Sequence, residues 1–284
     1  MSRRTVPDRR EACPALGIGQ ILIGKGCRSW QILLAMLDTE DKVSPMRTQG
    51  LFVSTHWSVV LAAGLSETAV ASDALEQLCR AYWYPLYVYT RRRGYDVEEA
   101  KDLTQEFFAR LIEKRYLGAV EEGRGRFRYF LLAALKHFLS DEWDKSTARK
   151  RGGGVRFISL DEQQPEERYH LEPRDEQTPE KAFQRRWALT LLELTLRRLR
   201  EEFQLAGKEA QFDQLKSFFT GDRDQDSYAE AAARLGMTEA AAKMTVTRMR
   251  QRYRALLRAE IANTLNDPSQ VDAEMRELAA VLRG

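Results

Sequence analysis

The stretch from Ser227 to Arg258 constrains the fold more than any other part of the chain, because it encodes a short helix, a tight turn and a longer helix. Ser227 and Glu230 have the S-x-x-E spacing of a capping box, which defines the start of the first helix. Gly236 supplies the backbone freedom that a sharp turn needs, and Thr238 is a candidate N-cap for the second helix. This order of elements predicts a helix-turn-helix unit, a layout with which many proteins read DNA.

The second helix of this unit has one apolar side and several basic ones. Apolar residues at spacings of three and four predict a buried stripe made of Ala242, Val246, Met249, Tyr253 and Leu256. The other faces carry Lys243, Arg248, Arg250, Arg252, Arg254 and Arg258, and the only acid between Thr238 and Arg258 is Glu239. An ordinary basic amphipathic helix would show the same pattern. We favour DNA binding because the cap, the turn and both helices form one unit.

The rest of the chain also has helical periodicity, so the sequence predicts an all-α fold. Charged residues make up 31% of the chain, and Ala, Leu, Arg and Glu are abundant, as in helical proteins. The predicted helices are Asp73–Arg93, Val97–Lys114, Phe127–Trp143, Pro179–Leu205, Gln211–Phe219 and a short one after Pro268. Pro85 lies inside the first of these and is expected to kink or split it.

The distribution of charge predicts two helical domains joined by an acidic linker. The net charge of the 284 residues is only +3, but Lys145–Arg156 contains five basic residues and no acid, whereas Asp161–Glu180 contains eight acids. Two basic blocks separated by an acidic one suggest two phosphate-facing surfaces. The predicted divisions are a disordered or loosely ordered extension (1–50), a helical domain (51–151), a linker (152–178), a helix-turn-helix domain (179–265) and a helical tail (266–284).

Several other classes of protein fit the sequence poorly. The three cysteines form no C-x-x-C motif, which argues against a zinc site or a disulfide framework and fits a reducing cytoplasm. No apolar run is long enough to span a membrane. Gly19–Gly26 is close to a phosphate-binding loop, but Gly26 replaces the hydroxyl residue that would bind magnesium. We therefore expect no metal, no cofactor and no enzymatic activity. The rival interpretation is an ATP-dependent enzyme that uses the Gly19–Gly26 loop.

Met46 precedes the first clean helical pattern and is a candidate start of translation.

Three elements together resemble bacterial RNA polymerase sigma factors. Asp102-Leu103-Thr104-Gln105-Glu106-Phe107-Phe108 resembles their D-L-x-Q-E-x-F signature, and the helix Phe127–Asp141 is similar to their promoter-melting helix. The helix-turn-helix unit is similar to their C-terminal DNA-binding element. Two helical domains with only a linker between them resemble the extracytoplasmic-function (group 4) branch over roughly Asp73–Leu257. Lys136-His137 departs from the Arg-Asn usual in that branch, and Thr245 stands where many members have a basic residue.

The resemblance implies functional roles in the first domain. It implies docking on core RNA polymerase through Asp102, Gln105 and Glu106. The alternative is that Asp102 and Glu106 only pair with Lys101 or Arg110 on the same helix. It also implies contacts with the minus-ten promoter element, made to bases by Lys136, His137, Ser140 and Asp141 and to phosphates by Arg149, Lys150 and Arg151. The sequence does not decide whether Trp143, at the end of the same helix, is also a base contact. The acidic linker is either a solvated spacer or a segment that lies in the RNA channel of the polymerase.

In the second domain, the start of the long helix is where base edges are usually read. The candidates there are Thr238, Glu239, Ala240 and Lys243, followed by Met244 and Thr247 on the exposed face, with Arg248 and Arg250 expected to bind phosphate. The expected function is that of a sigma factor with core RNA polymerase and promoter DNA as partners. An anti-sigma protein or another regulator remains an open possibility. The rival is a stand-alone helix-turn-helix repressor or activator.

Overall fold

The computed structural model describes residues 69–113, 126–148, 165, 169, 178–220, 227–265 and 267–283. Within these ranges the chain forms eight α-helices and no β-strand, which confirms the all-α prediction. The helices are α1 (Ala69–Arg92), α2 (Val97–Glu113), α3 (Phe127–Ala148), α4 (Pro179–Leu205), α5 (Glu209–Thr220), α6 (Tyr228–Arg234), α7 (Glu239–Asn263) and α8 (Val271–Arg283), with a 3-10 turn at Pro268–Gln270. The predictions for residues 1–50, for the Gly19–Gly26 loop and for most of the linker lie outside the described residues.

Helix α1 is a central helix of the fold. The sequence predicts that Pro85 kinks or splits this helix. The split is wrong, because one helix runs from Ala69 to Arg92 with Pro85 inside it, whereas the kink stays a prediction. Every side chain from Ala81 to Thr90 is buried. A helical segment that is buried all round, as residues 81–90 are, gains packing on each face, which can offset the backbone hydrogen bond that proline cannot donate.

Helix α4 packs along α1 and has the predicted bounds. The Thr178 hydroxyl accepts a hydrogen bond from the Lys181 backbone at 3.4 Å, and Pro179 occupies the first turn. In the middle of the contact, the Trp187 indole donates to the Tyr82 hydroxyl at 3.0 Å, and both side chains are fully buried. Burial raises the pKa of Tyr82, so this hydroxyl stays protonated. The hydrogen bond therefore joins α1 to α4 inside the core.

The buried apolar residues form one continuous cluster. It includes Leu111 and Leu135 before the linker, and Leu192 and Leu257 after it. Helix α4 also packs against α5, α7 and α8. The division into two domains at residues 152–178 stays a prediction, because this cluster crosses the proposed boundary. None of the helices in the described ranges is both long enough and apolar enough to cross a bilayer.

Candidate nucleic-acid interface

The helix-turn-helix unit has the predicted local geometry. The Ser227 hydroxyl accepts from the Glu230 backbone at 3.2 Å, while the Glu230 carboxylate accepts from the Ser227 backbone at 2.8 Å. Gly236 has a φ of 64°, a left-handed conformation that other residues adopt at a cost. The Thr238 hydroxyl accepts from the Ala241 backbone at 3.2 Å and caps α7. The capping box, the turn and the second cap are therefore confirmed.

Buried side chains hold α6 against α7. Ala231 and Ala232 are buried on the inner side of α6, where their small size lets the two helices approach closely. The Tyr228 ring stacks on Phe218 of α5 at 4.1 Å between centroids, which fixes the first turn of α6. On α7 the predicted stripe Ala242, Val246, Met249, Tyr253 and Leu256 is buried, as expected. This packing leaves the first turns of α7 facing solvent.

The exposed face at the start of α7 carries most of the candidate DNA contacts. Its exposed members are Thr238, Glu239, Ala240, Lys243, Met244, Thr247 and Arg248. Lys243 forms an ion pair with Glu239 at 2.6 Å, and this hydrogen bond raises the pKa of Lys243. The Lys243 ammonium also lies 5.7 Å from the centre of the Tyr228 ring. Glu239 and Tyr228 thus position the Lys243 ammonium, while the Lys243 side chain stays exposed and accessible to a ligand.

Arg250 differs from the other candidate phosphate ligands. It is half-buried, and its Nη2 donates to the Phe218 carbonyl oxygen at 2.9 Å. Phe218 lies in the last turn of α5, where carbonyl groups lack a partner within the helix. Arg250 therefore joins α7 to the end of α5, and the exposed Arg248 is the better placed of the two for a DNA phosphate.

A cleft of about 710 Å³ lies between α2 and α3. Asp102 of α2 lines it together with Lys136, Ser140 and Trp143 of α3. Asp102 and Ser140 are exposed, and 63% of Trp143 is accessible to solvent. The structure thus brings a candidate polymerase contact and two candidate minus-ten contacts to one cleft, with an exposed aromatic ring beside them.

Glu106 is engaged within the protein. Its carboxylate accepts a hydrogen bond from Arg110, whose other terminal nitrogen lies 2.7 Å from the Glu142 carboxylate on α3. This pairing is one of the two alternatives considered for Glu106. Lys101, by contrast, pairs with Glu98 at 3.0 Å rather than with Asp102. Asp102 and the half-buried Gln105 therefore remain as the more accessible part of the predicted polymerase contact.

The candidate minus-ten contacts on α3 fall into two groups. Lys136 forms an ion pair with Glu180 of α4 at 2.7 Å, and its hydrogen bond holds the pKa of Glu180 below the usual range. His137, Ser140 and Asp141 are exposed. The three basic candidates Arg149, Lys150 and Arg151 lie outside the described residues. Lys136 must exchange one anionic partner for another before it can contact nucleic acid.

Comparison with known protein families, curated proteins and solved structures found no match to this chain. Among the described residues, no group of three or more His, Cys, Asp or Glu side chains is arranged to hold a metal ion.

Proposed function

We propose that this chain is a sigma factor of the extracytoplasmic-function (group 4) type. It would bind core RNA polymerase, recognise the minus-ten and minus-thirty-five promoter elements and aid strand opening, while the polymerase carries out the chemistry. The observation that carries the proposal is the cleft between α2 and α3, which Asp102 shares with Lys136 and Ser140. The helix-turn-helix geometry of α6 and α7 supports it independently. The proposal places the chain in the cytoplasm, where bacterial polymerase acts.

In this proposal, α7 reads the minus-thirty-five element. The first turns of such a helix enter the major groove, where amide, hydroxyl and ammonium groups meet base edges. Lys243 can donate to guanine acceptors, and the Met244 side chain, which is 54% exposed, can contact a thymine methyl group. Arg248 neutralises a backbone phosphate, which adds affinity without sequence choice.

Helix α3 is proposed to hold the unpaired bases of the minus-ten element. The exposed Trp143 ring beside the cleft offers a stacking surface, and base stacking on aromatic rings contributes about 1–3 kcal/mol per base. His137, Ser140 and Asp141 present hydrogen-bonding groups on the same helix. Together they favour single-stranded over paired bases.

We predict that Asp102→Ala/Gln105→Ala weakens binding to core RNA polymerase by at least about tenfold, or about 1.4 kcal/mol. Asp102 is exposed and Gln105 half-exposed, so both can contribute polar contacts to a partner helix. Glu106 is left unchanged because its loss would also remove one of the two partners of Arg110, whose other partner is Glu142 of α3. Affinity is measured by titrating labelled protein with purified core polymerase.

The matched control for this titration is Glu98→Ala, which removes one acidic charge from the exposed face of the same helix. It should bind polymerase like the wild type. Failure of the folded wild-type protein to bind polymerase would refute the sigma-factor proposal. Equal loss in both variants would show that α2 contributes only its general charge.

We also predict different effects for two basic residues of α7. Lys243→Ala should narrow the affinity gap between a preferred promoter and a mutated one by about 1–3 kcal/mol, because a base contact is lost. Arg248→Ala should weaken binding to all sequences alike. It should also reduce by about one the slope of log affinity against log salt concentration. Binding of the polymerase–protein complex to both promoters at several salt concentrations measures both effects.

Arg250→Ala tests the reassignment of that side chain. Because Arg250 holds the end of α5, its loss should lower the melting temperature, whereas Arg248→Ala should leave it unchanged.

An equal loss of binding on every promoter after Lys243→Ala would contradict a base-reading role for Lys243.

A stand-alone helix-turn-helix regulator is the second candidate. It is favoured by the continuous core across the proposed domain boundary and by the internal partners of Glu106 and Lys136. Such a regulator binds duplex promoter DNA by itself, whereas a group 4 sigma factor is expected to bind well only together with polymerase. Promoter binding assayed with and without core polymerase separates the two.

A further inference from the structure

The first two turns of α7 carry one acidic and one basic side chain, and these two side chains are paired with each other. The Glu239 carboxylate lies 2.6 Å from the Lys243 ammonium, and 49% and 57% of the two side chains are accessible to solvent. The Tyr228 ring of α6 lies beside the same ammonium, with its centre 5.7 Å away. We refer to Glu239 and Lys243 as the charged pair. It presents an acceptor next to a donor on the exposed face of α7.

The threonine hydroxyls near the charged pair are already engaged with the backbone of α7. Thr238 Oγ1 accepts a hydrogen bond from the Ala241 N–H at 3.2 Å. Thr245 Oγ1 donates to the Ala241 carbonyl oxygen at 2.9 Å, and Thr247 Oγ1 donates to the Lys243 carbonyl oxygen at 3.0 Å. The charged pair therefore provides the side-chain groups of these turns that are best able to select a ligand by hydrogen bonding.

The charged pair has no net charge, which makes it a poor ligand for the DNA backbone. Affinity for phosphates comes from cations that release counterions on binding, and a carboxylate beside such a cation repels phosphate. Glu239 therefore offsets what Lys243 would add to general affinity, whereas Arg248 has no acidic residue within one turn of it on α7. Base edges are uncharged and present donors and acceptors in fixed patterns, so they suit the charged pair better.

The hydrogen-bonding groups of the charged pair match those of one base pair. A carboxylate can only accept and an ammonium can only donate. In the major groove, cytosine presents an amino donor and guanine presents two acceptors. Within a cytosine–guanine base pair this amino group is bonded to one of those acceptors, so the two atoms lie about 3 Å apart. That separation is close to the 2.6 Å between Glu239 and Lys243, so a single base pair can receive both side chains.

Other base pairs satisfy the charged pair less well. With the base pair reversed, the carboxylate would face the guanine acceptors and the ammonium would face the cytosine donor. An adenine–thymine pair keeps a donor for the carboxylate. Thymine, however, has one acceptor where guanine has two, and its methyl group lies beside that acceptor. The chemistry therefore favours cytosine opposite Glu239 and guanine opposite Lys243.

We propose that Glu239 and Lys243 together read one cytosine–guanine base pair, Glu239 through the cytosine amino group and Lys243 through the guanine acceptors. Glu239 acts mainly on selectivity, since it contacts one base and repels the backbone of every sequence. The inference deepens the proposed function and rests on its DNA-reading part, because it names a base pair that α7 selects in the minus-thirty-five element.

The test selects duplexes from a random library whose members are long enough to hold both promoter elements. Full-length protein is used with core RNA polymerase and, in parallel, by itself. The wild type should select a cytosine–guanine base pair at one position and bind the reversed pair there at least about tenfold more weakly. Glu239→Ala and Lys243→Ala should each shrink that ratio at least about fivefold, and both should do so at this same position.

Glu239→Ala should also strengthen binding to unrelated duplexes, because it removes a repulsive charge and leaves Lys243 free to bind phosphate. The slope of log affinity against log salt concentration should become steeper by about one. If Glu239 served only the stability of α7, its loss would lower the melting temperature and leave the base preference unchanged. That result would overturn the proposal.

The matched control is Glu201→Ala, which removes an exposed acidic side chain from α4. It should change neither the base preference nor the salt slope. Glu239→Gln is a second variant that keeps the length of the side chain. It should move the preference from cytosine towards adenine, because a glutamine amide pairs with the adenine edge.

Relaxed preference at two different positions, or selection of an adenine–thymine pair at the shared one, would overturn the base-pair assignment. Selection by the protein alone, as strong as with polymerase, would support the base-pair assignment and refute the sigma-factor proposal. Selection that needs polymerase but responds to neither variant would support the sigma-factor proposal and overturn the base-pair assignment. If the wild type selects no sequence in either form, both proposals fail.

Discussion

Trp187→Ala should lower the free energy of unfolding by about 3–5 kcal/mol, the usual cost of truncating a large buried aromatic residue. Trp187 of α4 is fully buried against α1, so truncation of its side chain leaves a cavity in the contact between these two helices. It also removes the hydrogen bond to the Tyr82 hydroxyl and the ring surface over which the Arg128 guanidinium lies. The loss combines packing, a hydrogen bond and a cation–π contact.

The measurement is urea unfolding followed by circular dichroism, with Trp187→Phe as the matched control. Phenylalanine keeps an aromatic surface for Arg128 but cannot donate to Tyr82, so it should cost clearly less than alanine. Because Leu205 is 90% exposed, Leu205→Ala serves as a second control and should change stability by less than about 0.5 kcal/mol. A loss below about 1 kcal/mol for Trp187→Ala would show that the α1–α4 contact adds little to folding.

Features that depend on neighbouring residues were predictable from the sequence. The capping box at Ser227, the turn at Gly236 and the cap at Thr178 each involve residues within three or four positions, so spacing alone identifies them. The bounds of α4 follow from its cap and from Pro179 in the first turn. The buried stripe of α7 follows from its period, because a helix repeats every 3.6 residues.

Features that depend on long-range partners were not predictable. The exposed-looking Arg250 bonds to Phe218, and Lys136 pairs with Glu180 forty-four positions later, so neither partner is visible in local spacing. Proline breaks helices in general, but here the burial of residues 81–90 on all sides of α1 outweighs the local preference of Pro85. Tertiary packing therefore decided which candidate cations remain available for nucleic acid.

The second large effect concerns the ion pair between Arg128 of α3 and Glu274 of α8, whose side chains lie 3.0 Å apart and are each only 1% exposed. Arg128→Met should lower the free energy of unfolding by about 3–5 kcal/mol at neutral pH. It leaves the Glu274 carboxylate buried with Arg126 as its remaining cationic partner. Burial already raises the pKa of Glu274, and the charges of Arg128 and Arg126 offset this only in part. Removal of Arg128 should raise that pKa further.

The sign of the pH dependence follows from this shift. A carboxyl group whose pKa is higher in the folded than in the unfolded state binds more protons when folded, so stability falls as pH rises between the two pKa values. The loss of unfolding free energy caused by Arg128→Met should therefore be largest above the pKa that Glu274 has in the folded variant. It should shrink as the pH falls through that pKa. Urea unfolding of wild type and variant at several pH values measures this change, and a penalty that grows on acidification would contradict it.

Arg128→Met/Glu274→Leu is the decisive companion, because it replaces both buried charges and leaves Arg126 paired with Glu277. Buried ion pairs can often be replaced by apolar residues at little cost, since neither charge then needs desolvation. The double variant should recover most of the stability lost by Arg128→Met and lose most of its pH dependence. A double variant as unstable as the single one would show that packing of the arginine against Trp187, rather than its charge, is what the start of α3 requires.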